Sequence, residues 1–491
     1  MNQLLARLRP QNTDQRLFAA FIGVLLAGGV AAVLLKSMGW LALPLGVVGI
    51  GVLLTDWRWV YYLLLATLAF SREFALPGGL NMDVPSEPLM LVLLVCIVVS
   101  VLLGREEVPR RLWLHPLVVL LLLALFWATI STVFSVSGVK SVKYLLAKTW
   151  YIGPFVFVTL AVVRRPRDVW RIVAFFAVGV VLTICYTMAR HAALGFGFDA
   201  INKAIQPFYI NHVIYATTAA LLVPYAYFAA RDAATRRGRW LWYAALTVLV
   251  AGVFLSYTRA SMLSLIIAGL FYGVIRLRLT RPVLVALAVA ALSGASYFMS
   301  EHTYMLYAPD FEKTIFNGQN FEKHLEATYK LQDVSGMERV YRWVAAARMI
   351  ADKPLIGSGP ATFYPEYKRY TVKSFRTYVS NNPEKSTTHN YFLLQLAEQG
   401  IPGFLLFTAL VSVALVMVER LYHRSRSVVH RHVVMAAGLC LVIIIFHLLL
   451  NELVEVDKIG SFFYISLAVL MRAGMWVRAE AEEPLPVAGQ Q

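Results

Sequence analysis

The sequence predicts an all-α, polytopic integral membrane protein with twelve to fourteen transmembrane helices and one large loop on the outer face. Three observations carry that expectation. Of 491 residues, 59% are hydrophobic and 15% charged, with a mean hydropathy of +0.64, whereas soluble domains run about 45–50% apolar and about 25% charged. Apolar stretches recur at close to the length of about 20 residues that a spanning helix needs. The arginines fall on alternate sides of those stretches.

The candidate spans in chain order are 17–35, 38–55, 57–70, 86–103, 112–132, 144–163, 172–189, 210–230, 240–258, 261–275, 283–299, 397–418, 433–450 and 459–476. The short ones, 57–70 and 261–275, read as tilted, partly buried or extended into their flanks. If 38–55 and 57–70 form one re-entrant pair the count falls to twelve, and the orientation of everything after them is unchanged. The polar stretch MNQLLARLRPQNTDQR precedes a full-length span without a cleavage pattern, so the N-terminal segment reads as cytoplasmic.

Orientation follows from charge. With the N-terminus inside, the inner segments hold 24 arginines and the short outer loops only 8 Lys or Arg, a strong positive-inside bias. Both termini are then cytoplasmic. The formal charge of +17 is a topology signal, and nucleic-acid binding is not needed to explain it. Cys96, Cys185 and Cys440 each lie in an apolar run and read as small buried hydrophobes; no pair suggests a disulfide or a metal-ligand spacing.

The chain divides by this reading into 1–299, carrying spans one to eleven, a periplasmic subdomain at 300–396, terminal spans at 397–476 and a cytoplasmic tail at 477–491. Residues 300–390 hold 12 Lys/Arg and 10 Asp/Glu, mixed in sign as a small folded subdomain requires. Within MERVYRWVAAARMIADKP, Val340, Trp343, Val344, Ala347 and Ile350 form a helical apolar stripe that Pro354 closes. An ordered loop of this length is usually functional.

Charged and polar titratable groups inside spans are costly and tend to mark function. Here they are Lys148, His212, Arg259, Glu398 and His447, with His115 nearer the inner edge. The first five fall in the outer third or at the outer mouth of their spans, which points to a site at the outer leaflet beside the loop. A transporter would place such groups near the midplane and show repeat symmetry. Individually these residues have bland readings: Lys148 and His115 can snorkel, and a lone histidine is often a hydrogen-bonded core residue. In STTHNYFLLQLAEQGIPG, Thr387 or Thr388 can cap a helix starting near His389, and Gly400 suits its stop. A helix N-terminus disfavours imidazolium and keeps the ring a neutral base. From spacing alone, a base and a mere capping turn are equal readings.

Together these residues resemble the O-antigen ligase and O-antigen polymerase superfamily of bacterial inner-membrane glycosyltransferases. The pattern is carried by Arg339, Trp343, Pro354, Leu355, Gly357, Gly359, Phe363, His389, Asn390, Glu398, Gly400 and Gly403, with Thr258-Arg259 standing where the family more often has Ser-Arg. The motif region covers about 250–410, and the many-helix topology extends the likeness to most of the chain.

The resemblance implies a GT-C-like membrane fold and transfer of a glycan from undecaprenyl diphosphate at the periplasmic face. The acceptor is lipid A-core for a ligase and another lipid-linked repeat for a polymerase. Displacement at the anomeric carbon needs a base for the acceptor hydroxyl and cations for the departing diphosphate. It implies His389 as general base and Arg259 and Arg339 as the diphosphate clamp, with Asn390, Lys148 and His212 as further substrate contacts. No cofactor or metal is implied, and no Asp-x-Asp is present. Glu398, nine residues after His389, reads as a helix-packing residue as readily as a catalytic one. The implied partners are the lipid-linked donor, the lipid acceptor and membrane lipids. Ligase is the preferred reading, polymerase the alternative, and a lipid-glycan flippase the rival from another class.

Overall fold

The computed structural model describes residues 56–76, 80–106, 110–300, 334–372, 380–382 and 386–482. The expected spans at 17–35 and 38–55, the loop segment 301–333 and the tail from 483 lie outside them. The chain divides into two compact units, Met1–Leu64 and Leu65–Gln491. Of the first, the described part is the start of helix α1, Arg58–Leu68.

The second unit is helical apart from one antiparallel hairpin among the described residues, β1 (Arg72–Leu76) with β2 (Leu80–Val84), in the register Arg72 opposite Val84. The sequence reading left 71–85 as a loop; two strands of five residues are too short to declare a two-residue period. Then follow α2 (Ser86–Leu102), α3 (Pro116–Val133), α4 (Gly138–Val162), α5 (Pro166–Ala193), α6 (His212–Asp232), α7 (Arg236–Leu255), α8 (Arg259–Arg276) and α9 (Thr280–Met299). The loop contributes α10 (Val334–Asp352), and the chain ends with α11 (Tyr391–Arg424), α12 (Val428–Leu448) and α13 (Asp457–Glu482). Ten of these helices are at least 18 residues long and apolar enough to cross a membrane. With α1 and α2, which are shorter, they account for every expected span from 57–70 onward. The protein is an all-α polytopic membrane protein.

Helices α6, α12 and α13 are mostly enclosed by other helices, whereas α9 has no buried residue in its apolar stretch. Their sequences explain the difference. The centre of α6 reads ATTAALL, small enough for close helix approach. Its hydroxyls are absorbed locally, as when Thr218 Oγ1 donates to the Ile214 carbonyl (2.7 Å). In α4, residues Gly153–Val158 are wound as a π-helical turn around Pro154, which lacks the N–H that a regular helix would use.

Side-chain bonds sort the connections into two ends. At one end, Glu480 Oε2 accepts from Arg426 N (2.8 Å), Glu419 Oε2 from Thr280 N (2.9 Å), and the Arg164 carbonyl from Trp476 Nε1 (3.0 Å). At the other, Ser86 Oγ donates to Asp457 Oδ2 (2.8 Å), Ser141 Oγ to the Pro360 carbonyl (2.6 Å) and Thr258 Oγ1 to the His212 carbonyl (3.2 Å). This is the alternation that the arginines imply, with the arginine-rich connections at the first end.

Candidate active site

Helix α11 is two helices joined at Gly400, whose φ of 67° and ψ of −171° break the helix. The sequence reading places a stop there; the structure shows a kink, with Pro402 opening the second limb. The break frees carbonyls that must find other donors. Ala397 O accepts from Ser358 N (3.1 Å), Glu398 O from Gly359 N (2.8 Å), and Gln399 O from Trp127 Nε1 (2.8 Å). In return Ile401 N donates to Pro354 O (2.8 Å).

The Glu398 side chain completes this interlock. Its Oε1 accepts from Phe363 N (2.8 Å) and its Oε2 from Ala361 N (2.9 Å). Glu398 is therefore a clamp on the 357–363 turn and does not reach the imidazole of His389 through any bond described. Two glycines make the approach possible. A side chain at Gly357 (φ 75°) would collide with the Glu398 carbonyl, and one at Gly400 with the Leu355 carbonyl. Ser131 Oγ, on α3, bonds both the Ile356 carbonyl (3.0 Å) and the Glu398 carbonyl (3.2 Å), tying the turn to the spans.

Helix α10 docks on the segment leading into α11. Trp343 Nε1 donates to the Thr388 carbonyl (2.8 Å) and Arg342 Nη1 to the Thr387 carbonyl (3.4 Å). Arg342 also pairs with Glu338 (3.3 Å), which accepts from Ser380 Oγ (2.6 Å), all three being buried. Arg339 lies one turn before Trp343 on the same helix face.

The cap of α11 differs from expectation. Asn390, not Thr387 or Thr388, caps the helix, its side chain accepting from Leu393 N (3.0 Å). That engages the Asn390 Oδ1; the resemblance makes this residue a substrate contact. His389 precedes the cap with φ 53°, in the left-handed region that few non-glycine residues enter. Its Nδ1 lies 3.1 Å from Asn451 Oδ1. In the tautomer that donates from Nδ1 to this amide oxygen, Nε2 is the basic nitrogen, as a base acting through Nε2 requires.

The other site residues surround the C-terminal end of α12. Arg259 is the first residue of α8, immediately after Thr258, whose hydroxyl meets the His212 carbonyl. His212 itself is anchored by Asn202 Oδ1, 3.1 Å from its N and 3.0 Å from its Nδ1. Ser261, in the first turn of α8, bonds His447 Nε2 (3.0 Å), and His447 Nδ1 bonds the Ile443 carbonyl (2.9 Å). His447 is fully buried and saturated, a structural post. From its carbonyl the chain turns to Asn451, whose N–H donates to it (2.7 Å). One bonded path thus runs from the start of α8 through His447 and Asn451 to His389.

Lys148 stands apart. Its Nζ is 2.7 Å from Glu455 Oε1, which also accepts from Tyr391 Oη (2.6 Å). The ammonium is buried and neutralised within the protein. His115 lies at the arginine-rich end as the N-cap of α3, accepting from Leu117 N (3.3 Å). Burial, then the nearby Arg478, lowers its pKa to about 4.

Sequence reasoning missed the segment 451–458. Asn451 orients His389, and Glu452 lies against Thr387 and Arg342, where burial pushes its carboxyl upward. Glu455 partners Lys148 and Asp457 binds Ser86. A signal existed: three carboxylates cluster in NELVEVDK, and a lysine inside a span demands a partner.

Residues 244–408 match the sequence model of a family described as O-antigen ligase. The matched stretch contains Arg259, Arg339, the glycine turn, His389 and the kink. No curated protein matches the chain. The match supports the superfamily that the motif residues resemble and an enzyme of glycosyltransferase-like ligase or polymerase type.

Proposed function

We propose that the protein transfers a glycan from undecaprenyl diphosphate to lipid A-core, or a similar lipid acceptor, at the periplasmic face of the bacterial inner membrane. Both termini are cytoplasmic in this reading. His389 Nε2 takes the proton from the acceptor hydroxyl as its oxygen attacks the anomeric carbon. The bond from that carbon to the diphosphate oxygen breaks, and the lipid diphosphate leaves with the electron pair. Arg259 and Arg339 hold the departing charge, since guanidinium forks match phosphate oxygens. His212, beside the start of α8, contacts substrate on the Arg259 side. Lys148 and Asn390 serve the scaffold in this account, because Glu455 and the α11 cap already engage them.

The observation that carries this reading is the setting of His389. His389 has a left-handed backbone just before the α11 cap, its Nδ1 lies 3.1 Å from Asn451 Oδ1, and the matched segment that holds it also contains Arg259 and Arg339.

Purified protein in liposomes, given a diphosphate-linked glycan and a lipid A-core acceptor, tests it. Expected is a glycan-capped acceptor with release of undecaprenyl diphosphate. Lengthening of the carrier-linked glycan without use of the core would assign a polymerase instead. Movement of intact donor across the bilayer with no new glycosidic bond would overturn the enzyme reading.

A further inference from the structure

One cavity of the molecule lies away from the His389 end. It is a cleft of about 750 Å³ between α2, α3, α4 and α13, walled by Ile97, Val101, Leu122, Leu125, Ile152 and Phe157. Its size is in the range of a lipid- or drug-sized ligand. Arg105, Arg164 and Arg472 line the same cleft, and Glu106 is the one acid among its described lining residues. Arg472 donates to the Leu160 carbonyl and Arg164 lies 3.5 Å from Glu106. Arg164 and Arg105 remain largely exposed.

The cleft belongs to the arginine-rich end. Helix α13 starts at Asp457, bonded to Ser86 at the site end, and Arg472 follows fifteen residues on, about 22 Å along the axis. Arg105 and Arg164 likewise follow the far ends of α2 and α4. An anionic headgroup held there is separated from His389 by most of the membrane thickness, so the cleft cannot serve the reacting diphosphate. Basic pockets between spanning helices at the positively charged face recognise anionic lipid headgroups.

We propose that this cleft is a binding site for an anionic glycerophospholipid of the leaflet at the arginine-rich end. Its acyl chains fill the apolar walls and its phosphate sits among Arg105, Arg164 and Arg472. Among the described lining residues, three arginines less Glu106 leave two net positive charges. At about fivefold in affinity for each charge near the surface, the site prefers anionic over zwitterionic lipid on the order of thirtyfold.

Trp113 also lines the cleft and reports on occupancy. Delipidated protein is placed in nanodiscs of zwitterionic phospholipid containing a minor fraction of phosphatidylglycerol or phosphatidylcholine with brominated acyl chains. The quenching assigned to Trp113 is the difference between wild type and Trp113→Phe. Brominated phosphatidylglycerol should quench that component at a far lower fraction than brominated phosphatidylcholine. Arg105→Gln with Arg164→Gln, both at exposed positions, should abolish the preference without lowering Tm. Ala161→Phe, which narrows the cleft, should remove the quenching by both lipids. Equal quenching by the two lipids in wild type, or a preference unchanged by the arginine pair, overturns the proposal. So does quenching that Ala161→Phe leaves intact.

Discussion

At the arginine-rich end of the bundle most arginines are exposed, and the carboxylates that do bond there meet backbone N–H groups and histidines. Glu480 ties α13 to the start of α12, Asp232 meets His432 at 2.5 Å, and Arg231, Arg236, Arg237, Arg239, Arg420 and Arg424 are exposed. At the opposite end the bonds run between groups that are mostly buried: Ser131 to the Ile356 carbonyl, Lys148 to Glu455, Ser86 to Asp457. Charge at the first end sets orientation through its total and tolerates rearrangement. At the second end, polar groups set positions, because buried groups need partners in fixed geometry. The proposed site, a base and two cations around a lipid-borne diphosphate, lies at this second end.

The contrast is broken most easily at the glycines. Gly400→Ala or Gly357→Ala drives a methyl into the Leu355 or Glu398 carbonyl and strains a left-handed backbone. The expected loss is on the order of 4 kcal/mol or more, read as collapse of the folded peak in thermal size-exclusion assays. Gly273→Ala, in α8 towards the arginine-rich end, has open space and should be neutral or stabilising by up to about 1 kcal/mol.

The Lys148–Glu455 pair sharpens the distinction between a positional and a substrate-binding charge. Lys148→Met leaves the partly buried Glu455 carboxylate without its counter-charge, Glu455→Gln leaves the buried ammonium without one, and either alone should cost about 3–5 kcal/mol, whereas the double variant should recover most of it. Transfer should return with the recovered Tm. A double variant with wild-type Tm and no transfer would assign Lys148 to the substrate.

A smaller effect is expected at Asp83, outside the spans. Burial, then Asp457, raises its pKa to about 6. The folded state therefore favours the protonated acid, a contribution that is complete near pH 4 and lost as pH rises through 6. Asp83→Asn should raise Tm at pH 8 by the equivalent of about 1 kcal/mol after allowance for solvent screening. The advantage should shrink towards zero at pH 4. A constant advantage at all pH values would deny the shift. Smallest of all, Arg236→Gln and Arg237→Gln should each change stability by less than about 0.5 kcal/mol and leave transfer unchanged.

Much of the scaffold was legible because spanning helices announce themselves by length and apolarity, and arginines by side. The interlock was half legible. Gly357, Gly400 and Glu398 were singled out by the motif, but their shared task depends on carbonyls that only the kink frees. Asn390 could not be told from Thr388 as the cap, since both are good capping residues. Asn451 stands 62 positions from His389 in sequence, where no local period connects them. The π turn of α4 and the short hairpin left no periodic trace.

The central claim is that His389 is a base rather than a turn residue. Asparagine tolerates the left-handed backbone that His389 adopts but has no basic nitrogen, so His389→Asn keeps the turn and removes the chemistry. The decisive measurement is transfer by His389→Asn in reconstituted liposomes, with donor binding and Tm followed on the same protein. The account predicts a loss of about 10²–10⁴-fold, equal to that of His389→Ala, with donor binding and Tm retained. Transfer at the wild-type rate by the asparagine variant would contradict it.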